Sequence, residues 1–150
     1  MNRRGARIGT RRGERGVTLL ELMVVVAIVG VLSAIAYPSY LSYLQRGNRS
    51  DATRALMLYG QAMERCYSQV FTYVGCAAVP AVTTPTPSPN RYYTVTLTAA
   101  TATDYTITAV PAGSPQISDT LCTSFTLSGS AGQSATGAAP NPSQFCWGAN

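Results

Sequence analysis

Apolar residues fill positions 17–37 almost without a break, recur at helical spacing beyond Pro38, and alternate with polar ones beyond about residue 90. Val17 to Tyr37 is a run of 21 residues with a single charge, Glu21. As a helix it would be about 31 Å long, enough to cross a bilayer core. Pro38 removes one backbone donor and crowds the turn before it, so it is expected, with Gly30, to kink the helix rather than end it. Apolar residues then return at Leu41, Leu44, Ala52, Ala55, Tyr59, Ala62, Met63 and Cys66. Arg46, Arg49, Asp51, Arg54, Gln61, Glu64 and Arg65 fill the opposite face. This pattern predicts an amphipathic helix to about Gln69, its apolar face on a sheet. Its charges read as a solvated face with local pairs such as Asp51 with Arg54.

Residues 77–90 carry Pro80, Pro85, Pro87 and Pro89, which predicts a loop rather than helix or central strand. Period-two alternation follows, in Tyr93/Val95/Leu97, Tyr105/Ile107/Ala109 and Thr123/Phe125/Leu127, with a short last strand expected over Gln144–Trp147. Short polar gaps between the runs suit an antiparallel meander within 91–147. The fold class is therefore α+β: a long N-terminal helix, apolar in its first half and amphipathic in its second, packed on a small antiparallel sheet. The chain reads as a basic leader (1–16), a hydrophobic helix (17–38) and one small domain (39–150).

The formal charge of +5 changes meaning once it is located. Residues 1–16 hold six Arg (Arg3, Arg4, Arg7, Arg11, Arg12, Arg15) against Glu14, and from Val17 onward five Arg meet five acids. The basic balance belongs to the leader, which weakens a nucleic-acid reading of the remainder without excluding one. Basic residues before the apolar run orient the N-terminus towards the cytoplasm and send the rest across. Four Cys, with no Lys and no His, suit an oxidising compartment. A secretory signal peptide would share the basic start, the apolar run and a small-x-small site at Ala34-Ile35-Ala36, and an uncleaved anchor would also fit. Against the signal peptide stand the carboxylate at the start of the run and the helical pattern beyond Ala36.

Arg15-Gly16-Val17-Thr18-Leu19-Leu20-Glu21-Leu22 resembles the cleavage and assembly motif of type IV prepilins, and Gly30, Pro38, Tyr40, Tyr43 and Arg46 continue the likeness. The resemblance implies cleavage after Gly16 by a membrane aspartyl peptidase, N-methylation of Val17, and filament assembly through the helix, with Thr18 and Glu21 in the assembly motif. Val17 departs from the family, which usually has Phe there. It also implies a precursor in the bacterial inner membrane that moves into a surface pilus, with other pilin subunits as partners. A carboxylate in a lipid-exposed helix needs a partner. Cleavage frees a cationic amine on Val17, about one turn from Glu21, and the same amine on a neighbouring subunit could set the register of stacked helices.

Four Cys allow three pairings. Cys66 with Cys76 would tie the helix end to the loop after it. Cys122 with Cys146 would close a Gly/Ser/Pro-rich segment, which resembles the C-terminal disulfide-bounded loop of type IV pilins. Such a loop closure contributes roughly 3 kcal/mol in the chain-entropy model. Met63-Glu64-Arg65-Cys66-Tyr67, Tyr105-Thr106-Ile107-Thr108-Ala109 with Pro111, and Phe145-Cys146-Trp147 resemble PilE-type minor pilins.

No enzyme, cofactor or metal site is expected. The usual general bases and amine nucleophiles are absent, and the Cys spacings lack a C-x-x-C pair. The expected function is a structural subunit, a minor pilin. A DNA-uptake or adhesive subunit is one alternative, with Arg91, Tyr92 and Tyr93 as the candidate patch, and a type II secretion pseudopilin is another.

Overall fold

A computed structural model of the chain describes residues 16–76 and 85–148. The leader ahead of Gly16 and positions 77–84 of the Pro-rich loop lie outside the described residues. The chain divides into two units, residues 1–38 and 39–150.

In the first unit a helix, α1 (Leu19–Val70), begins on Thr18. The Thr18 hydroxyl accepts the Glu21 backbone N–H at 3.2 Å, and the Thr18 carbonyl accepts from Leu22 at 3.1 Å. Thr18 thus satisfies one orphan donor of the first turn, and Glu21 places its charge near the positive end of the helix dipole. Every residue from Val17 to Pro38 is exposed, although most of the run is Leu, Val, Ile, Ala and Met. The helix continues through Gly30 and Pro38 without a break.

The second unit holds the remaining turns of α1 and a five-stranded antiparallel sheet in sequence order. Its strands are β1 (Thr86–Pro87), β2 (Tyr93–Ala100), β3 (Tyr105–Pro111), β4 (Ser124–Ser128) and β5 (Gly132–Thr136). Register places Val95 opposite Ala109 and Ala109 opposite Phe125, with Ile107 opposite both Leu97 and Leu127. These residues share one face, and Ala52, Ala55, Leu56 and Met63 of α1 cover it. The other face carries Thr94, Thr96, Thr106, Thr108 and Thr126, as the period of two requires. A bulge between Leu97 and Ala99 ends the regular alternation of β2.

Gly60 lets the sheet approach α1. A Cβ there would sit 2.7 Å from Leu127 Cδ2 and 3.2 Å from the Tyr105 hydroxyl. Among the described residues, all the buried ones and both disulfides fall within 39–148, so this unit carries a core of its own.

Three expectations need correction. Gln144–Trp147 is not a strand, because α2 (Pro142–Cys146) occupies it. Pro142 presets the helical φ at the first turn, and Asn141 turns the chain with φ 51°. Phe145 N–H then bonds to the Asn141 carbonyl at 3.0 Å, so the apolar Phe145/Trp147 alternation reflects one helical turn. Second, the Pro-rich loop contributes an edge strand: Thr86 and Pro87 pair with Val95 and Thr94, a position that tolerates a missing donor. Third, β5 arises in the Gly/Ser stretch, where small polar residues conceal the period of two. Its outer edge is covered, since Ala135 N–H donates to the Ser143 hydroxyl and the Trp147 indole N–H to the Ser134 carbonyl.

Candidate functional site

Two regions carry the candidate residues. The N-terminal segment brings Gly16, Val17, Thr18 and Glu21 together at the start of α1, all exposed. Gly30 has open space around it, and Pro38 lies inside the helix. The apolar stretch is long enough to span a membrane, and none of its most apolar window is buried within the chain. Apolar surface left bare on this scale marks an interaction with lipid or with other helices.

The second region is the domain's polar framework, where the solvated-face reading of α1 holds for Arg46, Arg54, Gln61, Glu64 and Arg65 but fails at Arg49 and Asp51. Arg49 and Asp51 are buried, at 6 % and 2 % exposure. Arg49 donates from Nε and Nη2 to the two carboxylate oxygens of Asp119, at 2.8 and 2.9 Å, and its guanidinium lies 5.1 Å from the Phe145 ring centre. Asp119 also accepts the backbone N–H groups of Leu121 and Cys122, at 3.1 and 3.3 Å. Asp51 accepts from the Ser88 hydroxyl and, at 3.0 Å, from the Asn90 N–H. It therefore ties α1 to the turn between β1 and β2 and forms no pair with Arg54. The partners lie 70 and 37 positions away, beyond the reach of helical spacing.

The disulfides pair Cys66 with Cys76 and Cys122 with Cys146. The first holds the end of α1 to the turn around Tyr73, whose ring stacks on Tyr67 at 4.6 Å. The second holds α2 to the loop after Asp119. Tyr73 donates to Glu64 at 3.1 and 3.2 Å, and burial followed by this carboxylate raises its hydroxyl pKa. Burial, then the same carboxylate, pushes Tyr105 up to about 12. Tyr93 also reaches about 12 through burial, although the Gln116 amide donating to it at 2.7 Å works the other way. Asp104 is held below the usual carboxylate range, chiefly by the Ser130 hydroxyl, with backbone N–H groups of Ser130 and Tyr105 adding to it.

Tyr93 is fully buried, so Arg91, Tyr92 and Tyr93 do not form an exposed patch. Sequestration changes the surface charge instead. Asp51 and Asp119 are inside, leaving exposed Arg46, Arg54, Arg65 and Arg91 against exposed Glu64 and half-buried Asp104. Arg54 and Arg65 are 11 positions apart, which puts them within about 20° on one helix face and about 16 Å apart along it. Arg54 shares a shallow groove with Pro89, two residues before Arg91. Among the described residues no cluster of His, Cys, Asp or Glu could hold a metal ion.

A bare apolar helix followed by a disulfide-stapled helix-on-sheet domain defines the class of filament-forming pilins. Residues 11–37 match the family model of the prokaryotic N-terminal methylation motif. Residues 38–126 match the model described as type IV minor pilin ComP, DNA uptake sequence receptor. The fold is similar to that of the non-core minor pilin PilV of Neisseria meningitidis, at 25 % identity and a TM-score of 0.52, over 66 % of this chain and 93 % of that one. No curated protein matches the chain. The chain belongs to the type IV minor pilin family that the ComP model describes, and is a minor subunit of a type IV pilus.

Proposed function

We propose that this minor pilin is cut after Gly16, waits in the inner membrane on residues 17–38, and enters the pilus through the same helix. The observation carrying this reading is the complete exposure of the apolar run from Val17 to Tyr37, capped by Thr18 over Glu21. Water is a poor solvent for that surface, whereas a bilayer or a bundle of like helices can cover it. Glu21 pairs with the freed amine of Val17, first within the chain and then across subunits, which fixes the axial register. Intact mass and N-terminal sequencing of chains from sheared filaments and from membranes test this. A chain starting at Val17 in the sheared fraction supports it, and one starting at Tyr37 removes it.

A second reading, DNA contact by the domain, is favoured by the match to a DNA uptake sequence receptor model and by the arginine excess on the surface. Arg54, Arg65 and Arg91 would meet phosphates. Binding of duplex DNA by residues 39–150 should weaken with salt at a log–log slope of about −2.7 for three phosphate contacts. Arg54→Gln should reduce that slope by about 1. A salt-independent signal, or no binding at low salt, excludes this reading.

A further inference from the structure

A cleft of about 270 Å³ lies beside α1, between its Arg46–Thr53 turns and the C-terminal turn bearing Phe145 and Trp147. It belongs neither to the apolar assembly segment nor to the Arg54/Arg65/Arg91 surface. Its chemistry is unusual for this surface because three different kinds of group converge. Arg46 is exposed and has no ion pair among the described residues. Arg49 spends Nε and Nη2 on Asp119, and its Nη1 makes no hydrogen bond among the described residues. The Ser50 hydroxyl donates to the Gly47 carbonyl at 2.7 Å and the Thr53 hydroxyl to the Ser50 carbonyl at 3.2 Å. Their hydroxyl hydrogens are thus committed, and towards the cleft both oxygens offer lone pairs. The Trp147 indole N–H is likewise committed, to the Ser134 carbonyl at 2.8 Å, so this side chain can contribute its ring face.

A cationic donor, a pair of hydroxyl acceptors and an aromatic face describe one ligand class. The ligand must carry an anion, several hydroxyl donors and a flat apolar side. We propose that the cleft binds a single acidic sugar residue. Its carboxylate or phosphate meets Arg46 and Arg49 Nη1, its ring hydroxyls donate to Ser50 and Thr53, and its pyranose face lies on Trp147. The volume is near the lower limit of small-molecule sites, roughly 300 Å³, which suits one sugar ring. A duplex is read across an extended surface and cannot enter such a cleft, so this site is separate from any DNA contact. The Arg49–Asp119 bond holds the floor in place before a ligand arrives, which lowers the ordering cost of binding.

Trp147 is the only Trp in the chain, so its fluorescence reports this site alone. Residues 39–150 contain the whole described core and both disulfides and can be titrated as a soluble domain. The probes are glucuronic acid, N-acetylneuraminic acid and glucose 6-phosphate, with glucose as the neutral control and a glutamate oligopeptide as the non-sugar anion. We expect a saturable Trp147 change with at least one acidic sugar, weaker by about tenfold or more for glucose. Arg46→Gln, at an exposed position that folding does not need, should weaken it by a similar factor, and Ser50→Ala by less. Arg54→Gln should leave it unchanged even where it reduces DNA binding, so the two readings fail independently. No saturable response to any acidic sugar overturns the proposal, as does an equal response to glucose or to the glutamate peptide. An Arg46→Gln domain that binds normally also overturns it.

Discussion

Residues 19–38 and 39–70 belong to the same helix, yet they solve opposite problems. The first stretch is almost wholly apolar and buries nothing. The second is amphipathic, with six charged residues, and supplies Ala52, Ala55, Leu56 and Met63 to the core, together with the two buried ionic residues Arg49 and Asp51. Hydrophobic content therefore does not decide what is buried inside this chain; the availability of a covering surface does. The sheet covers the second stretch. For the first, the cover must come from outside the subunit, from lipid or from neighbouring helices. Stability and assembly should accordingly respond to different mutations. The free energy of unfolding of residues 39–150 is the scale on which to separate them.

The largest change on that scale should follow Asp119→Ala. It removes both oxygens bound to Arg49 and leaves a buried guanidinium without its counter-charge, an arrangement that costs about 3–5 kcal/mol. It also frees the Leu121 and Cys122 N–H groups. Urea unfolding should show a midpoint shift of that size. A loss below about 1 kcal/mol would mean that water reaches Arg49 and that the framework is softer than its geometry indicates.

Removing the Cys122–Cys146 disulfide by double Cys→Ser substitution should cost roughly 3 kcal/mol, and removing Cys66–Cys76 slightly less, because its loop is shorter. The separations are 24 and 10 positions. A reversed order in thermal melts would show that local packing around Tyr67 and Tyr73, rather than chain entropy, sets the contribution of the first.

These elements were unequally legible from the amino-acid order. The assembly motif and the two stretches of α1 could be read because their information is local. The strands β2, β3 and β4 could be read as well, because Tyr93/Val95, Tyr105/Ile107/Ala109 and Phe125/Leu127 alternate plainly. Arg49 and Asp51 could not. On the helix they look like solvated charges, and only Asp119 and Ser88, brought in by the sheet, make them internal. The strand β5 lacked any apolar alternation, since its order comes from pairing with β4 and from the Ser143 and Trp147 contacts. Arg91 and Tyr92–Tyr93 suggested a patch because adjacent residues look adjacent in space, whereas strand geometry turns Tyr93 inward.

A smaller effect is expected from alkali. Tyr93 titrates in the unfolded chain near 10 and in the fold near 12. The folded state therefore holds its proton longer, and the stability present below pH 10 is lost as pH rises from 10 to 12. The raised pKa corresponds to roughly 2–3 kcal/mol, with Tyr105 acting in the same window. Tyrosine absorbance followed alongside circular dichroism should show ionisation of these groups only as the fold is lost. Ionisation at pH 10 with the fold intact would contradict the burial assigned to them.

The smallest effect on this scale should come from Glu21→Ala, and it sharpens the comparison most. Glu21 is exposed and lies outside residues 39–150, so the unfolding free energy of that unit, measured in the full chain, should change by less than about 0.5 kcal/mol. Cleavage after Gly16 should also continue. Incorporation into sheared filaments should nevertheless collapse, because the proposed pair with the Val17 amine of a neighbouring subunit is lost. Normal incorporation would show that bare apolar area alone registers the helices. A destabilised domain would show instead that the two halves of α1 are energetically coupled, and the division of labour drawn above would fail.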